Sequence, residues 1–439
     1  MSKIAKDGKP TLRRWIMFTL AAGTSFLLYL HRYTWVMVRP ELKAEYDFSE
    51  LQLDGLYTLF NVTYMLGQIP GGIVCDFFGP HMFLGIIIAV WSLAMPMVGA
   101  TGSFYGIGAS RLAFGAAQAG CYPSLAKITR VWFPLKGRTS LQGLIASFFG
   151  RSGGAVSTMI FGVMLGVGLS WRSSLCILSA VGLAFAALFS LIFRNSPEED
   201  PATNELEVDL IREGETDNPK APRVLPFRRA LRNRSLKIFT VQQFMNAGAD
   251  YVYSAIMASY FIEARDVSDK IFLGALASFP LWGGALGGVF GGFLNDALIA
   301  WTGNRRLSRS LVGFSGKMAA CVCLYFSITH SNLMAGAWLL FVTKFFSDWT
   351  QPTVWGTSTD MGGRYSATVF SIINSAGSAG GVVTPLIGGY LLDHYATQSL
   401  VAGEVTKIIH YEPVFIMVGI MYILSAICWL LIDCTDSLD

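Results

Sequence analysis

Gly72-Ile73-Val74-Cys75-Asp76 closes one long apolar run, and Gly292-Phe293-Leu294-Asn295-Asp296 closes another 220 residues later. The echo continues. Gly137-Arg138-Thr139-Ser140 opens a run, and Gly363-Arg364-Tyr365-Ser366 opens its counterpart 226 residues on, with Gly154 and Gly162 opposite Gly380 and Gly388 at that same offset. Random apolar segments would seldom carry polar signatures at matching places. The economical reading is a duplicated six-helix unit, with a ligand site between the copies near the bilayer midplane.

Composition agrees. Of 439 residues, 53% are hydrophobic and 14% charged, with a mean hydropathy of +0.48. A soluble domain carries about a quarter charged residues. The charges gather in short bridges between runs that reach the roughly 20 residues a bilayer-crossing helix needs. These runs lack the polar outer face of a soluble core, and the 46 glycines suit closely packed membrane helices. The predicted spans are 15–38, 51–77, 82–100, 103–132, 138–165, 171–194, 236–264, 270–299, 308–328, 332–358, 365–393 and 412–432. The expected fold class is therefore an all-α membrane protein with twelve transmembrane helices in two pseudo-symmetric six-helix halves. The halves are 1–194 and 235–439, and a polar linker, 195–234, joins them. The basic start resembles a signal peptide, but the apolar stretch from Trp15 is too long and lacks a cleavage site, so it reads as the first retained helix. Cys75, Cys121, Cys176, Cys321, Cys323, Cys428 and Cys434 form no ligand-spaced metal cluster and read as packing residues.

Basic residues set the orientation. Lys3, Lys6, Lys9, Arg13, Arg14, Lys127, Arg130, Lys136, Arg138, Arg305, Arg306, Arg309 and those of the linker fall on one side. Arg39, Lys43, Arg172, Arg265, Lys270 and Lys407 fall on the other. By the positive-inside rule both termini are cytoplasmic, in a multi-pass protein of the inner or plasma membrane. The net charge of +4 is then a topology signal and gives no reason to expect nucleic acid.

Charges inside the spans are costly and mark function. Arg32, Arg111, Arg151, Lys317 and Lys344 fall inside, with the acids Asp250 and Asp348. Lys344 and Asp348 lie four apart on one helical face and can neutralise each other or serve in coupling. Lys317 is expected to snorkel. Arg32, Arg111 and Arg151 have no acid at comparable depth in their own half, so they either build a positive cavity for an anion or bond carbonyls at a broken helix. Asp76 and Asp296, at the ends of their spans, read as gate elements. There is no P-loop, and no nucleophile–base or metal constellation. The expectation is a carrier driven by a gradient, functional as a monomer, without cofactor or metal and without enzymatic activity. A membrane sensor without flux is a further reading.

Several motifs carry a family resemblance. They include Tyr64-Met65-Leu66-Gly67-Gln68-Ile69-Pro70-Gly71-Gly72 with Asp76 and Gly79, and Arg111 with Gly115, Gln118, Gly120, Pro123, Trp132-Phe133-Pro134 and Arg138. Ser259-Tyr260-Phe261-Ile262-Glu263-Ala264-Arg265 and Asn374 with Gly377, Gly380, Gly381 and Pro385 complete the set. With these the chain resembles the major facilitator superfamily, and within it the anion:cation symporter family of sugar-acid, hexuronate and organic-anion carriers. The resemblance implies proton symport of a small carboxylate by alternating access. It also implies an anion site at Arg32 and Arg111 with Tyr64 and Asn374 as polar partners; Arg151 joins them by its depth in a Gly-rich stretch. Two departures bear on coupling. His31 stands before Arg32, and Gln118 stands seven residues after Arg111, where the family places acids. Pro80-His81 stands where the superfamily has basic residues. His31 titrates near neutral pH and is the candidate carrier of the coupling proton. Gln118 also resembles the organophosphate:phosphate antiporters, which leaves an exchanger of phosphorylated compounds as the alternative.

Overall fold

In a computed structural model of the chain, residues 9–134, 138–213, 230, 232–362, 366–401, 404–436 and 438 are described. The side chains of Asp76, Thr359 and residues 138–140, 366–368, 399–401 and 404–406 lie outside this description, as do the motif residues Lys136, Gly137, Gly363 and Arg364.

The first span is two helices, α1 (Arg13–Arg32) and α2 (Thr34–Tyr46), which meet at Tyr33. Helix α3 (Glu50–Ala94) holds the second and third spans, and the chain reverses between them at Gly79, whose φ is 77°. A left-handed turn here favours glycine. The side chain of Asn195 packs on Gly79 and accepts the His81 N–H at 2.9 Å. The fourth span is α4 (Phe104–Ala119) and α5 (Cys121–Trp132), which meet at Gly120. The fifth is α6 (Arg138–Leu144), a π-helical turn (Ile145–Phe149) and α7 (Gly150–Gly166), and the sixth is α8 (Trp171–Ile192). After α9 (Glu205–Arg212), the seventh span is α10 (Arg234–Ala249), a second π-helical turn (Val252–Ile256) and α11 (Met257–Glu263). The eighth is α12 (Lys270–Thr302), the ninth α13 (Arg305–Thr329), and the tenth α14 (Leu333–Asp348) with α15 (Gln351–Gly362). The eleventh is α16 (Ser366–His394) and the twelfth α17 (Glu412–Leu431).

Among the described residues, seven segments are long and apolar enough to cross a membrane. They lie in the third, fifth, sixth, eighth, ninth, eleventh and twelfth spans. The others fall short for physical reasons. The first, fourth, seventh and tenth are broken at Tyr33, Gly120, Asp250 and Trp349, and the second carries Asp54, Asn61 and Gln68 on its length. Side-chain caps from Asn233, Asp269, Asn304 and Asn332 start the seventh to tenth spans, satisfying N–H groups that a helix start leaves free. Large apolar side chains such as Phe77, Leu191 and Phe293 point outward, as a lipid-facing surface requires.

Two features depart from the sequence reading. Thr397–Val401 (β1) and Glu404–Ile408 (β2) form an antiparallel hairpin between the last two spans, so the chain is not wholly helical. In the polar connection, α9 docks on the start of α1. Glu207 accepts the Arg13 and Arg14 N–H groups at 2.9 and 3.0 Å, and Arg13 Nε pairs with Asp200 at 2.6 Å. A carboxylate at a helix N-terminus is favourable. The start of the first span and the end of the last lie at this end of the bundle, where Asn233 also donates to Asp436 at 2.8 Å. At the opposite end Arg172 clasps Glu45 at 2.6 Å.

The halves meet along two seams, the fifth span on the eighth and the second on the eleventh. The 226-residue offset relates the fifth to the eleventh and the 220-residue offset the second to the eighth, so the seams are pseudo-symmetric. Gly162 faces Gly274 so closely that an added Cβ would lie 2.6 Å from the Lys270 carbonyl oxygen and 2.9 Å from Gly274 Cα. Overpacking of this kind costs about 1–3 kcal/mol. Gly162→Leu should lower the melting temperature of the detergent-solubilised protein by several degrees. Gly55→Ala, where a methyl group meets nothing within 4 Å, should hold or raise it. Equal melting temperatures for both variants would show that the Gly162 contact carries no weight.

Candidate functional site

A cavity of about 250 Å³ lies between the halves. Its walls come from the first, second, fourth, fifth, seventh, eighth, tenth and eleventh spans, and include Tyr29, Arg32, Tyr64, Tyr122, Arg151, Gln243, Asp250, Asp348 and Asn374. All four broken spans contribute. A break exposes backbone and re-aims side chains, and such irregular backbone is tolerated at membrane depth where it lines a cavity.

Arg32 ends α1 at the break, and its guanidinium lies 4.3 Å from the Tyr64 ring centroid, 5.0 Å from that of Phe60 and 5.2 Å from that of Tyr29. Nε donates to Gln118 Oε1 at 3.2 Å, and Gln118 in turn donates to the Leu28 carbonyl at 3.2 Å. Nη2 is buried without a hydrogen-bond partner, and no carboxylate among the described residues pairs with Arg32. Tyr64 thus serves here as an aromatic face under the cation.

Arg111 is placed differently from the expectation of a cavity ligand. It lies behind Phe60, whose ring centroid is 5.0 Å from the Arg111 guanidinium on one side and 5.0 Å from that of Arg32 on the other. Trp35, at 4.5 Å, and Phe114 complete its surround, and Nε and Nη2 have no hydrogen-bond partner. It borders a separate void of about 10 Å³, which is at the threshold for one water molecule.

Arg151, expected to be unpaired, is paired across the interface. The seventh and tenth spans of the other half supply its acids. Nη2 meets Asp250 at 2.7 Å, Nε meets Asp348 at 2.9 Å, and Nη1 donates to the Tyr33 hydroxyl at 3.2 Å. Lys344 bridges both acids at 2.6 Å each. Its pairing with Asp348 is the one the i,i+4 spacing shows; the bond to Asp250 is additional. Lys317 does not snorkel. It is fully buried and donates to Asn246, the Ser347 carbonyl and the Ser347 hydroxyl, because this face of the ninth helix turns into the bundle.

His31 faces away from the cavity, with Nε2 3.0 Å from the Leu178 carbonyl oxygen of the sixth span and Nδ1 unpartnered. Asn374 donates to Gln68 at 2.7 Å, and Gln68 donates to Ser378 at 3.2 Å, so these amides join the second and eleventh spans on the side of the termini. Asp296 is exposed and accepts from Asn295 at 3.4 Å; the side chain of Asp76 lies outside the described residues.

The sequence reading missed a charge cluster at the end opposite the termini. Arg39, one residue past the predicted first span, is fully buried and pairs with Asp54 and Glu50. Lys43 bridges Glu50 (2.5 Å) and Glu263 (2.6 Å), Lys270 meets Glu41 (2.5 Å), and Tyr251 donates to Asp54 (2.5 Å). The last three join the halves and close this end of the cavity. Asp54, inside the second span, was the available signal.

Comparison with known proteins adds the following. The family model described as Major Facilitator Superfamily matches residues 20–385. A probable sulfoacetate transporter, SauU, of Cupriavidus necator is 28% identical over 85% of this chain and 86% of its own length. A probable galactarate/D-glucarate transporter, GudP, of Bacillus subtilis is 25% identical over 89% and 88%. Among solved structures, a bacterial homologue of the human lysosomal transporter Spinster, inward-facing and unoccupied, superposes with a TM-score of 0.69 at 18% identity, covering 87% of this chain and 83% of that one.

Removing one member of a buried ion pair costs about 3–5 kcal/mol, because the other charge is left stranded. Asp54→Leu should therefore strongly lower thermal stability, and the double variant Arg39→Met/Asp54→Leu should recover much of the loss. A double variant no more stable than the single one would show that the two charges are not coupled.

Proposed function

The chain belongs to the Major Facilitator Superfamily, and we propose that it is a secondary active transporter of a small organic anion with an acidic group at each end. The observation that carries this reading is Arg32. Of the two arginines lining the cavity, Arg151 is neutralised by acids, whereas Arg32 faces the space with aromatic and amide neighbours and an unsatisfied Nη2. A guanidinium at this depth needs an anion, and its planar fork suits a carboxylate or sulfonate. Sulfoacetate and D-glucarate, named for two relatives, each carry two such groups on a short carbon chain. The second group would reach Arg151, and hydroxyls would bond to Tyr122, Asn61 and Gln243, which line the same space. Arg111 would join the site when Phe60 moves from between the two guanidiniums.

The reading includes alternating exposure of the anion as two halves, 1–194 and 235–439, rock about it, with 195–234 as the connection. The cluster around Arg39 and Lys43 closes one side, while the amides of Gln68 and Asn374 yield on the other. The end bearing the termini, rich in Arg13, Arg14, Arg130, Arg305 and Arg306, is placed in the cytoplasm. One chain contains the whole cavity, so the functional unit is a monomer. A proton gradient supplies the energy.

The test is a thermal-shift screen with D-glucarate, sulfoacetate, glucuronate, inorganic phosphate and a sugar phosphate, on the wild type and on Arg32→Ala. A ligand at a hundred times its Kd stabilises by about 2.7 kcal/mol. Stabilisation by a carboxylate or sulfonate, lost in Arg32→Ala, is expected. Stabilisation only by phosphorylated compounds would replace this reading with the phosphate exchanger. Persistence in Arg32→Ala would place the anion elsewhere, and binding without counterflow in liposomes would indicate a sensor.

A further inference from the structure

The two acids lining the cavity both belong to the cross-half cluster, and they are not equivalent. The Asp250 side chain keeps 23% of its surface exposed, that of Asp348 only 2%. Each partner of the Arg151–Asp250 pair sits beside a π-helical turn. Ile145–Phe149 ends two residues before Arg151, and Val252–Ile256 begins two residues after Asp250. Such turns loosen a helix locally and recur at functional sites.

The charges in the cluster balance: Arg151 and Lys344 against Asp250 and Asp348. An anionic group arriving at Arg151 upsets that balance, and surplus charge at this depth is costly. A proton on the displaced carboxylate restores it. We infer that Asp250 is the carboxylate that couples anion movement to protons, yielding Arg151 to the incoming anionic group as it takes up a proton from the cavity water. When the anion leaves on the other side, Arg151 returns to Asp250 and the proton departs there. One proton moves with each anionic group that displaces Asp250. This rests on the anion-carrier reading above. His31 does not face the cavity, and Gln118 carries no titratable proton.

The groups around Asp250 are Arg151 of the fifth span, Lys344 and Asp348 of the tenth, Tyr33 of the first, Lys317 of the ninth, Tyr422 of the twelfth and Tyr253 of its own span. The eleventh span, packed along the seventh, carries no Asp, Glu, Lys, Arg or His between Ser366 and Leu392. Of the two acids, Asp250 is the one open to water.

The experiment uses purified protein in liposomes, with D-glucarate and sulfoacetate as probes. One arm measures probe-for-probe counterflow at equal pH; the other measures accumulation driven by an inward gradient of one pH unit. Wild type should show both, accumulating about tenfold per coupled proton. Asp250→Asn should lose accumulation far more than counterflow, accumulating no more than about onefold. Because that variant leaves a net positive cluster and can fail to fold, Asp250→Asn/Lys344→Met, which removes one charge of each sign, is measured beside it and should behave the same way. Asp250→Glu should restore accumulation. Gradient-driven accumulation at the wild-type level in either Asn variant would overturn the inference, as would loss of counterflow in the folded double variant. Absence of wild-type counterflow with both probes would overturn the anion-carrier reading, and the role of Asp250 with it.

Discussion

The contact on which the interior depends is the Arg151–Asp250 ion pair. Arg151 has no acid of its own half among its ion-pair partners, and Lys344 alone cannot balance both Asp250 and Asp348. The first half brings a guanidinium without an acid, whereas the second brings Asp250, Asp348 and Lys344. The requirement that buried charge be compensated therefore joins the halves at mid-depth. It also places a polar joint where apolar packing would give a permanent interface. Water or an anion can compete for that joint, and neither competes for a packed leucine.

The same requirement explains why the remaining cations are treated so differently. Lys317 has no acid within ion-pair distance among the described residues and is satisfied by Asn246 and Ser347. Arg111 is enclosed by Trp35, Phe60 and Phe114, whose ring faces give partial compensation. Arg32 has the aromatic faces, one amide oxygen and the open cavity. Arg32 differs from Arg111 in facing the open cavity, and what it lacks is what a substrate anion would supply. Phe60, packed between Arg32 and Arg111, keeps two like charges apart and lets only one of them meet the cavity.

Much of this order was legible in the sequence, because span length and apolar composition are local properties. The duplicated signatures were legible for the same reason, but the packing of fifth on eighth span and second on eleventh was not, because it joins segments of different halves. The Lys344–Asp348 contact was legible because one helical turn fixes it. The Arg151–Asp250 contact was not, because the partners are 99 residues apart and meet only when two halves assemble. Arg39 was misplaced because a polar stretch after a span reads as loop, while its partner Asp54 lies in the next helix. The orientation of His31 was lost because adjacent residues near the break at Tyr33 face opposite ways. The hairpin has its signal in the β-branched Thr397, Val401, Val405, Thr406 and Ile408, a pattern too short to register as a membrane span.

The halves are joined on the two sides of the cavity by different chemistry. Opposite the termini, ion pairs cross the interface: Lys43 with Glu263, Lys270 with Glu41, and the Tyr251 hydroxyl bond to Asp54. Toward the termini, the cross-half side-chain bonds among the described residues are those of neutral amides and a hydroxyl, Gln68 with Asn374 and Ser378. Charged groups released into water regain their hydration, so an ionic closure can open without stranding charge only if its members reach solvent together. Lys43, Glu263, Lys270 and Glu41 are all partly exposed and meet that condition. Arg39, Glu50 and Asp54 do not, and they pair within one half, where they can stay together whichever way the halves lean. Charges that separate are thus kept wet, and charges kept dry stay paired. Arg151 and Asp250 stand between these cases, buried yet divided between the halves, so their separation requires something to enter.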